Sequence, residues 1–311
     1  MLPAYITHHD CLLHDMGEQH PESPARLGAV NDQLLIHGLL DYMHAFDPPL
    51  VTQQQLTRAH DDAYLDNFAQ TGANVPEDGY VQIDPDTRIN AYSYLAAQRA
   101  AGAAVMAAEL VASGKAPVAF CNIRPPGHHA ERAAAGGFCF FNNIAVAILH
   151  ALDTQGINRL ALLDFDVHHG NGSEDILAGD QRVLMCSSFE KDIYPFCGEV
   201  PKATNMINVG LPSRSGGKLF REMVAAHWLP ALDAFAPEMI FISAGFDAHR
   251  EDDMGNLGLV EADFAWVTKE IVAVANKHAR GRIVSCLEGG YELSPLGRSV
   301  AAHVRVLIGA D

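Results

Sequence analysis

Positive charge is scarce in this sequence. Its 311 residues carry 21 Lys and Arg against 38 Asp and Glu, a formal net charge of −17. Nucleic-acid binding rests on clustered Lys and Arg facing phosphates, so no nucleic-acid partner is expected. Long apolar runs are also missing: none reaches the ~18 residues of a membrane-crossing helix, and no membrane partner is expected. The opening stretch Met1-Leu2-Pro3-Ala4-Tyr5-Ile6 has no basic segment and no long apolar core, so no signal peptide is read there. Six cysteines (Cys11, Cys121, Cys139, Cys186, Cys197 and Cys286) form no CxxC pair, and several lie inside apolar runs. That pattern speaks against thiolate zinc sites and for buried, reduced thiols in a cytoplasmic protein. Internal repeats and linker-like stretches are absent too, so residues 1–311 are expected to form a single domain.

What is present is a 49% hydrophobic chain in which short apolar runs alternate with helical patterns. Strands are expected at Ala4–Thr7, Val118–Cys121, Leu160–Asp164, Val183–Ser187, Met206–Val209, Met239–Ser243 and Ile283–Leu287. These runs are continuously apolar rather than alternating, as in parallel strands covered on both faces. Helices are expected over Ala91–Ser113, Asn142–Gln155, Phe220–Phe235 and Ala262–His278, the second opening on a capping Asn and ending before Gly156. Alternation of this kind predicts an α/β fold with a mainly parallel sheet between helices. The stretches Cys11–Arg26, Gln70–Asn90 and Glu190–Asn205 read as long loops.

Four polar clusters each follow a strand: Arg124-Pro125-Pro126-Gly127-His128-His129, Asp164-Phe165-Asp166-Val167-His168-His169-Gly170, Gly245-Phe246-Asp247-Ala248-His249, and Glu288-Gly289-Gly290-Tyr291. In open parallel sheets, ligands sit beyond the carboxyl ends of the strands. The four clusters should therefore meet at one edge. In an extended segment Asp164, Asp166 and His168 share a face, and Asp247 adds a third ligand to the Asp166–His168 pair. Three ligands of this type leave an open position on a divalent ion, as catalytic sites require. Of the adjacent His128 and His129, one suits a general base and the other an electrostatic partner. Tyr291, behind two glycines, can offer its phenol to an oxyanion.

These motifs, taken jointly, resemble those of the histone deacetylase superfamily, and within it the bacterial class II-like zinc-dependent deacylases. The similarity runs from His20-Pro21-Glu22 to Arg298. The resemblance implies a three-layer α/β/α arginase/deacetylase fold around an eight-stranded parallel sheet. It implies Asp166, His168 and Asp247 as ligands of one Zn²⁺, a set that also accepts Fe²⁺. By the same resemblance His129 is general base and then acid, His128 its electrostatic partner held by Asp164, Asn171 the partner of His129, and Tyr291 the carbonyl-polarising phenol. Gly137 and Phe138 become one wall of an acyl-lysine channel and Tyr194 the other. Asp84 becomes a rim carboxylate and Arg26 an inner-channel residue, with Gly289 and Met254 also facing substrate. An apolar Met254 replaces the Glu that polyamine-selective members carry there. A structural K⁺ is implied at Asp164, Asp166, His168, Ser187 and Ser188, with a second cation site through Leu177, Asp180 and Val183.

The expected reaction is hydrolysis of an N-acyl amide on a lysine side chain of a peptide or on a small amine. A binuclear manganese hydrolase of the arginase type, a non-catalytic acyl-lysine binder and an acetylpolyamine hydrolase stand as alternatives. Long loops beside the site leave room for a homo-oligomer.

Overall fold

A computed structural model describes residues 1–310. Ten strands are present among them: β1 (Ala4–Ile6), β2 (His44–Phe46), β3 (Val81–Gln82), β4 (Arg88–Ile89), β5 (Val118–Cys121), β6 (Leu160–Asp164), β7 (Val183–Glu190), β8 (Met206–Leu211), β9 (Met239–Ala244) and β10 (Ile283–Leu287). The α-helices are α1 (Asp10–Leu13), α2 (Ala25–Ile36), α3 (Gln53–Leu56), α4 (Asp62–Ala73), α5 (Ser93–Ala112), α6 (Asn143–Thr154), α7 (Asn171–Leu177), α8 (Gly217–Phe235), α9 (Glu261–His278) and α10 (Leu293–Leu307), with a short 3-10 turn at Leu40–Tyr42.

Eight strands form one sheet in the order β2-β1-β5-β10-β9-β6-β7-β8, and every pairing in it is parallel. Helices flank it: α5 packs on α6, while α2, α10, α9 and α8 form a second run. Helix α5 is long and apolar enough to cross a membrane by length and composition, yet it lies against α6, β1, β5 and β10 with most of its residues buried. Its small Ala side chains let the helix approach the sheet closely.

The strand order explains where chemistry collects. After β5 the chain leaves to build β6, β7 and β8, and later returns to lay β9 and β10 into the gap. The four strands that precede the four polar clusters are thereby contiguous: β5, β10, β9, β6. Because they run parallel, their carboxyl ends open on one edge.

All seven expected strands are present, with β7, β8 and β9 longer than expected and β1 one residue shorter. The four expected helices are also present, each within one to three residues at its start. Asn142 caps α6, its Oδ1 accepting from Ala145 N at 3.0 Å, and Gly156 follows the helix with φ +67°. The three expected loops need correction. Cys11–Arg26 contains most of α1 and the first residues of α2; Gln70–Asn90 contains the end of α4 and the β3–β4 hairpin; Glu190 is the last residue of β7. These are short elements whose order comes from tertiary contacts rather than from any periodicity of their own.

Candidate active site

At the end of β5 the chain turns through a cis Arg124–Pro125 bond to bring His128 and His129 inward, both buried. His128 Nδ1 lies 3.0 Å from Asp164 Oδ2, on the last residue of β6. Its backbone is held from another loop: Gly127 N and His128 N donate to Glu288 Oε2 at 2.7 and 3.1 Å. Burial opposes a charge on His128, but Asp166 and Asp164 outweigh it and push its pKa up to about 10.

His129 has the opposite electrostatics. Burial, then the charges of His128 and His168, hold its pKa well below the usual imidazole value, so it is neutral near pH 7. Its tautomer follows from its partners. Asn171 Nδ2 donates to Glu131 Oε1 at 2.8 Å, which turns Asn171 Oδ1 toward His129 Nδ1 at 2.7 Å. Nδ1 must therefore carry the hydrogen, leaving Nε2 with its lone pair.

Beside it, Asp166, His168 and Asp247 place one ligand atom each within 4.8 Å of one another, all three residues buried. Asp166 Oδ1 accepts from His168 N at 2.9 Å and Oδ2 from Gly289 N at 2.8 Å. Asp247 Oδ1 accepts from Val167 N at 2.9 Å, whereas its buried Oδ2 makes no well-formed hydrogen bond and has only His168 Nδ1 beside it, at 3.2 Å. A buried carboxylate oxygen so poorly partnered is costly, and a cation shared with Asp166 and His168 would satisfy it. Burial opposes charge on His168, but the two carboxylates beside it prevail and push its pKa up to about 10, so metal binding there must release a proton. The donor set fits a divalent ion.

Gly289 matters through its contact with this triad. A Cβ at this position would overlap both Asp247 Oδ2 and Asp166 Oδ2. Gly289→Ala is expected to weaken metal retention by roughly 10–100-fold, the usual cost of disturbing groups that orient ligands. Competition against a chelator of known affinity measures it; unchanged affinity would show that the loop yields without moving the carboxylates.

A cavity of about 440 Å³ opens onto this cluster, lined by His129, His168 and Tyr291 together with Phe138, Tyr194, Phe196 and Met254. Gly137 and Asp84 line it as well. The rings of Tyr194 and His129 meet edge to face at 4.9 Å, and those of Phe138 and Tyr291 at 5.8 Å. Asp84 is held rigidly: its Oδ1 accepts from Asp86 N and Thr87 N, and its Oδ2 from Thr87 Oγ1 at 2.9 Å.

Two expected substrate contacts lie elsewhere. Gly289 stands behind the ligand carboxylates rather than on the cavity wall. Arg26 is fully buried behind Tyr291, its guanidinium carbon 4.9 Å from the ring centroid and its Nε donating to Gly290 O. The residues named for a monovalent ion divide. Ser187 pairs with Asp164 across β6 and β7, which sets Ser187 and Ser188 beside segment 164–168. The carbonyls of Leu177, Asp180 and Val183 do converge, but on a side chain: Asn205 Nδ2 lies 3.1 Å from all three oxygens, which share its two hydrogens. An amide nitrogen fills the place expected for a second cation. Sequence reasoning also missed Glu131, Glu288, Asp86 and Phe196. Glu288 was legible within its motif, but only the fold reveals what it holds.

Comparison with known proteins agrees with this geometry. A model of the histone deacetylase domain matches residues 20–307. The type-2 histone deacetylase 2 of Dictyostelium discoideum is 33% identical over 97% of this chain, which spans only 20% of that protein. A histone deacetylase-like amidohydrolase of Pseudomonas aeruginosa is 34% identical over 88% of this chain and 72% of its own length. The polyamine deacetylase HDAC10 of Danio rerio is 33% identical over 93% of this chain, which spans 44% of it. The solved HDA15 HD domain superposes with a TM-score of 0.91 at 32% identity, covering 99% of this chain and 88% of that one. With a matching domain over nearly all its length and that domain's sheet, the chain belongs to the histone deacetylase family of amidohydrolase enzymes.

Proposed function

We propose that this protein is a zinc-dependent deacylase that cleaves an acetyl or similar acyl group from a lysine side chain or comparable primary amine. The observation that carries this reading is the neutral His129, its Nε2 free, beside three buried metal-ligating groups at the end of an apolar cavity. Asp166, His168 and Asp247 would hold the ion, which supplies Lewis acidity to the acyl oxygen and acidifies water.

The protein's own groups do the rest. Phe138 and Tyr194 exclude bulk water and align an extended chain between them. His129 Nε2 takes the proton of the attacking water, and Asn171 steadies the imidazolium that forms. Burial, then Asp247, drives the Tyr291 pKa well above that of a free phenol, so Tyr291 stays protonated and donates to the developing oxyanion. His129 then returns its proton to the departing amine, yielding a carboxylate and a free amine. His128 stays charged against Asp164 and Asp166, and its charge keeps His129 a weak base in the resting site.

Tyr291→Phe is expected to lower kcat by roughly 10²–10³ with little change in KM, as for other oxyanion donors. Steady-state kinetics on an acetyl-lysine amide decides it, and full activity in the variant would remove Tyr291 from the mechanism. The Asp84 and Asp86 carboxylates at the cavity favour a second reading, an acylated amine with a cationic tail such as an acetylpolyamine. Met254 offers that tail no charge.

The test is turnover of matched acetyl-lysine amides, trifluoroacetyl-lysine amides and acetylated polyamines, with metal content measured on the same sample. Turnover with one zinc per chain supports the reading. Two metals per chain, or none of these substrates cleaved with zinc bound, refutes it.

A further inference from the structure

We propose that Asp252 is a positioning residue for the phenol of Tyr291. This inference rests on the deacylase reading above and assigns a role to a side chain that does not line the cavity.

Tyr291 sits just past the end of β10, where no neighbouring strand continues the ladder. Its amide and that of Glu292 therefore need partners from elsewhere. A single carboxylate supplies them. Asp252 Oδ2 accepts from Tyr291 N at 2.7 Å and from Glu292 N at 3.0 Å. Its other oxygen accepts from Met254 N at 3.0 Å. Asp252 is itself buried, only 5% exposed, and its own amide donates to His249 O at 2.9 Å.

The contacts tie together two loops that chemistry must keep in register. Asp252 lies on the segment after β9, five positions beyond the metal-ligating Asp247. The amides it holds belong to the segment after β10, and the third fixes Met254, a residue of the cavity wall. On its other side Tyr291 is joined to Gly290, whose φ of +118° lies in a region that glycine alone enters cheaply. Arg26 Nε holds the Gly290 carbonyl on that side, and Asp252 holds the next two amides from the opposite direction. Glu292 is also the residue before α10, and its side chain makes no capping bond. The carboxylate of Asp252 thus meets the positive end of a 15-residue helix as well.

The substitutions separate positioning from bulk stability. Asn at this position keeps the shape but only one acceptor oxygen. It can serve Tyr291 and Glu292, or Met254, but not both sets. Asp252→Asn is therefore expected to lose less than Asp252→Ala. For Asp252→Ala, kcat on an acetyl-lysine amide should fall by roughly 10–100-fold with KM within about twofold, the signature of a misplaced group used in the transition state. In a Tyr291→Phe background, with no hydroxyl left to place, Asp252→Ala should cost less than about threefold further.

Two measurements decide the proposal. The first is the kinetic cycle of Asp252→Ala, Tyr291→Phe and the double variant. Losses that multiply, or a raised KM at constant kcat, would overturn it. If Asp252→Ala does not fold, Asp252→Asn carries the same cycle. The second is amide hydrogen exchange in the intact chain, which needs no turnover. Exchange at Tyr291 and Glu292 should quicken at least tenfold in Asp252→Ala, and in Asp252→Asn the quickening should appear either at those two amides or at Met254, while amides inside β9 and β10 keep their protection. If wild-type protein with zinc bound cleaves none of the amides, the deacylase reading fails and the exchange result alone judges the clamp. Unchanged exchange at Tyr291 and Glu292 in Asp252→Ala, or at all three amides in Asp252→Asn, would overturn it.

Discussion

His129→Ala is expected to lower kcat/KM on an acetyl-lysine amide by about 10²–10⁴, the range for removing a general base and acid. The variant should keep its metal and its fold, because His129 is not among the three ligand residues and its ring borders the cavity. The pH profile carries more information than the loss itself. A base works only when deprotonated, so activity falls as pH drops through the pKa of His129. Burial, then the charge of His128, place that pKa well below the ordinary value, and in the loaded enzyme the charge of the ion would stand in for the proton given up by His168, so the acid limb should be correspondingly low. Asn171→Asp tests the cause. A carboxylate 2.7 Å from Nδ1 favours the imidazolium, so the acid limb should move to higher pH. Metal content and melting temperature measured alongside make the result specific. A His129→Ala enzyme within tenfold of wild type, or an Asn171→Asp limb that moves to lower pH, would assign the base to another group.

Much of this site could be read before any coordinates, for a physical reason. Strand ends in a parallel sheet are marked by apolar runs that stop at Gly, Asp or His, as after Leu163 and Ala244. Chemistry placed there stays local in sequence. His128, His129, Asp166, His168, Asp247 and Tyr291 all lie within such marks, and the structure gathers them around one cavity. Contacts that depend on tertiary packing left no such trace. Nothing in the spacing of Glu131 reveals that it turns the Asn171 amide, and nothing near Asn205 reveals that its nitrogen sits among three carbonyls. The surroundings of Arg26 likewise come only from packing: its guanidinium lies behind the phenol and donates to the carbonyl of Gly290. The edge strand β2, His44-Ala45-Phe46, was invisible because three residues with a polar lead carry no apolar run. Helix α10 was missed although strongly two-faced, because its first turn holds Ser294 and Pro295 directly after a catalytic-type loop. Pro is at home in a first turn, where its missing N–H costs nothing.

Glu22→Gln should be the most destabilising of these substitutions. Glu22 is fully buried and serves two guanidiniums that are also fully buried. Its Oε1 accepts from Arg26 Nη1 at 3.0 Å and from Arg124 Nε at 2.5 Å, and its Oε2 from Arg124 Nη2 at 2.6 Å. Taking one partner from a buried ionic cluster leaves uncompensated charge, at a cost on the order of 3–5 kcal/mol. A domain has about 5–15 kcal/mol in all, so the variant should melt far below wild type or fail to fold. The sign of the pH effect follows. Burial opposes the charge of Glu22, but Arg124, His14 and Arg26 outweigh it and hold its pKa well below the usual carboxylate range. Its contribution is thus complete above the unfolded value of about 4.3 and is lost as pH falls toward the folded value. Denaturant titrations of both proteins should differ most above that pH, and the gap should narrow on acidification. A gap that widened below pH 4 would mean that Glu22 is protonated in the native state. The same cluster reaches the chemistry: Arg26, freed from Glu22, no longer supports Gly290 and the face of Tyr291. Any Glu22→Gln protein that does fold should therefore lose kcat as well as stability, and the loss should be absent when Tyr291 is already Phe.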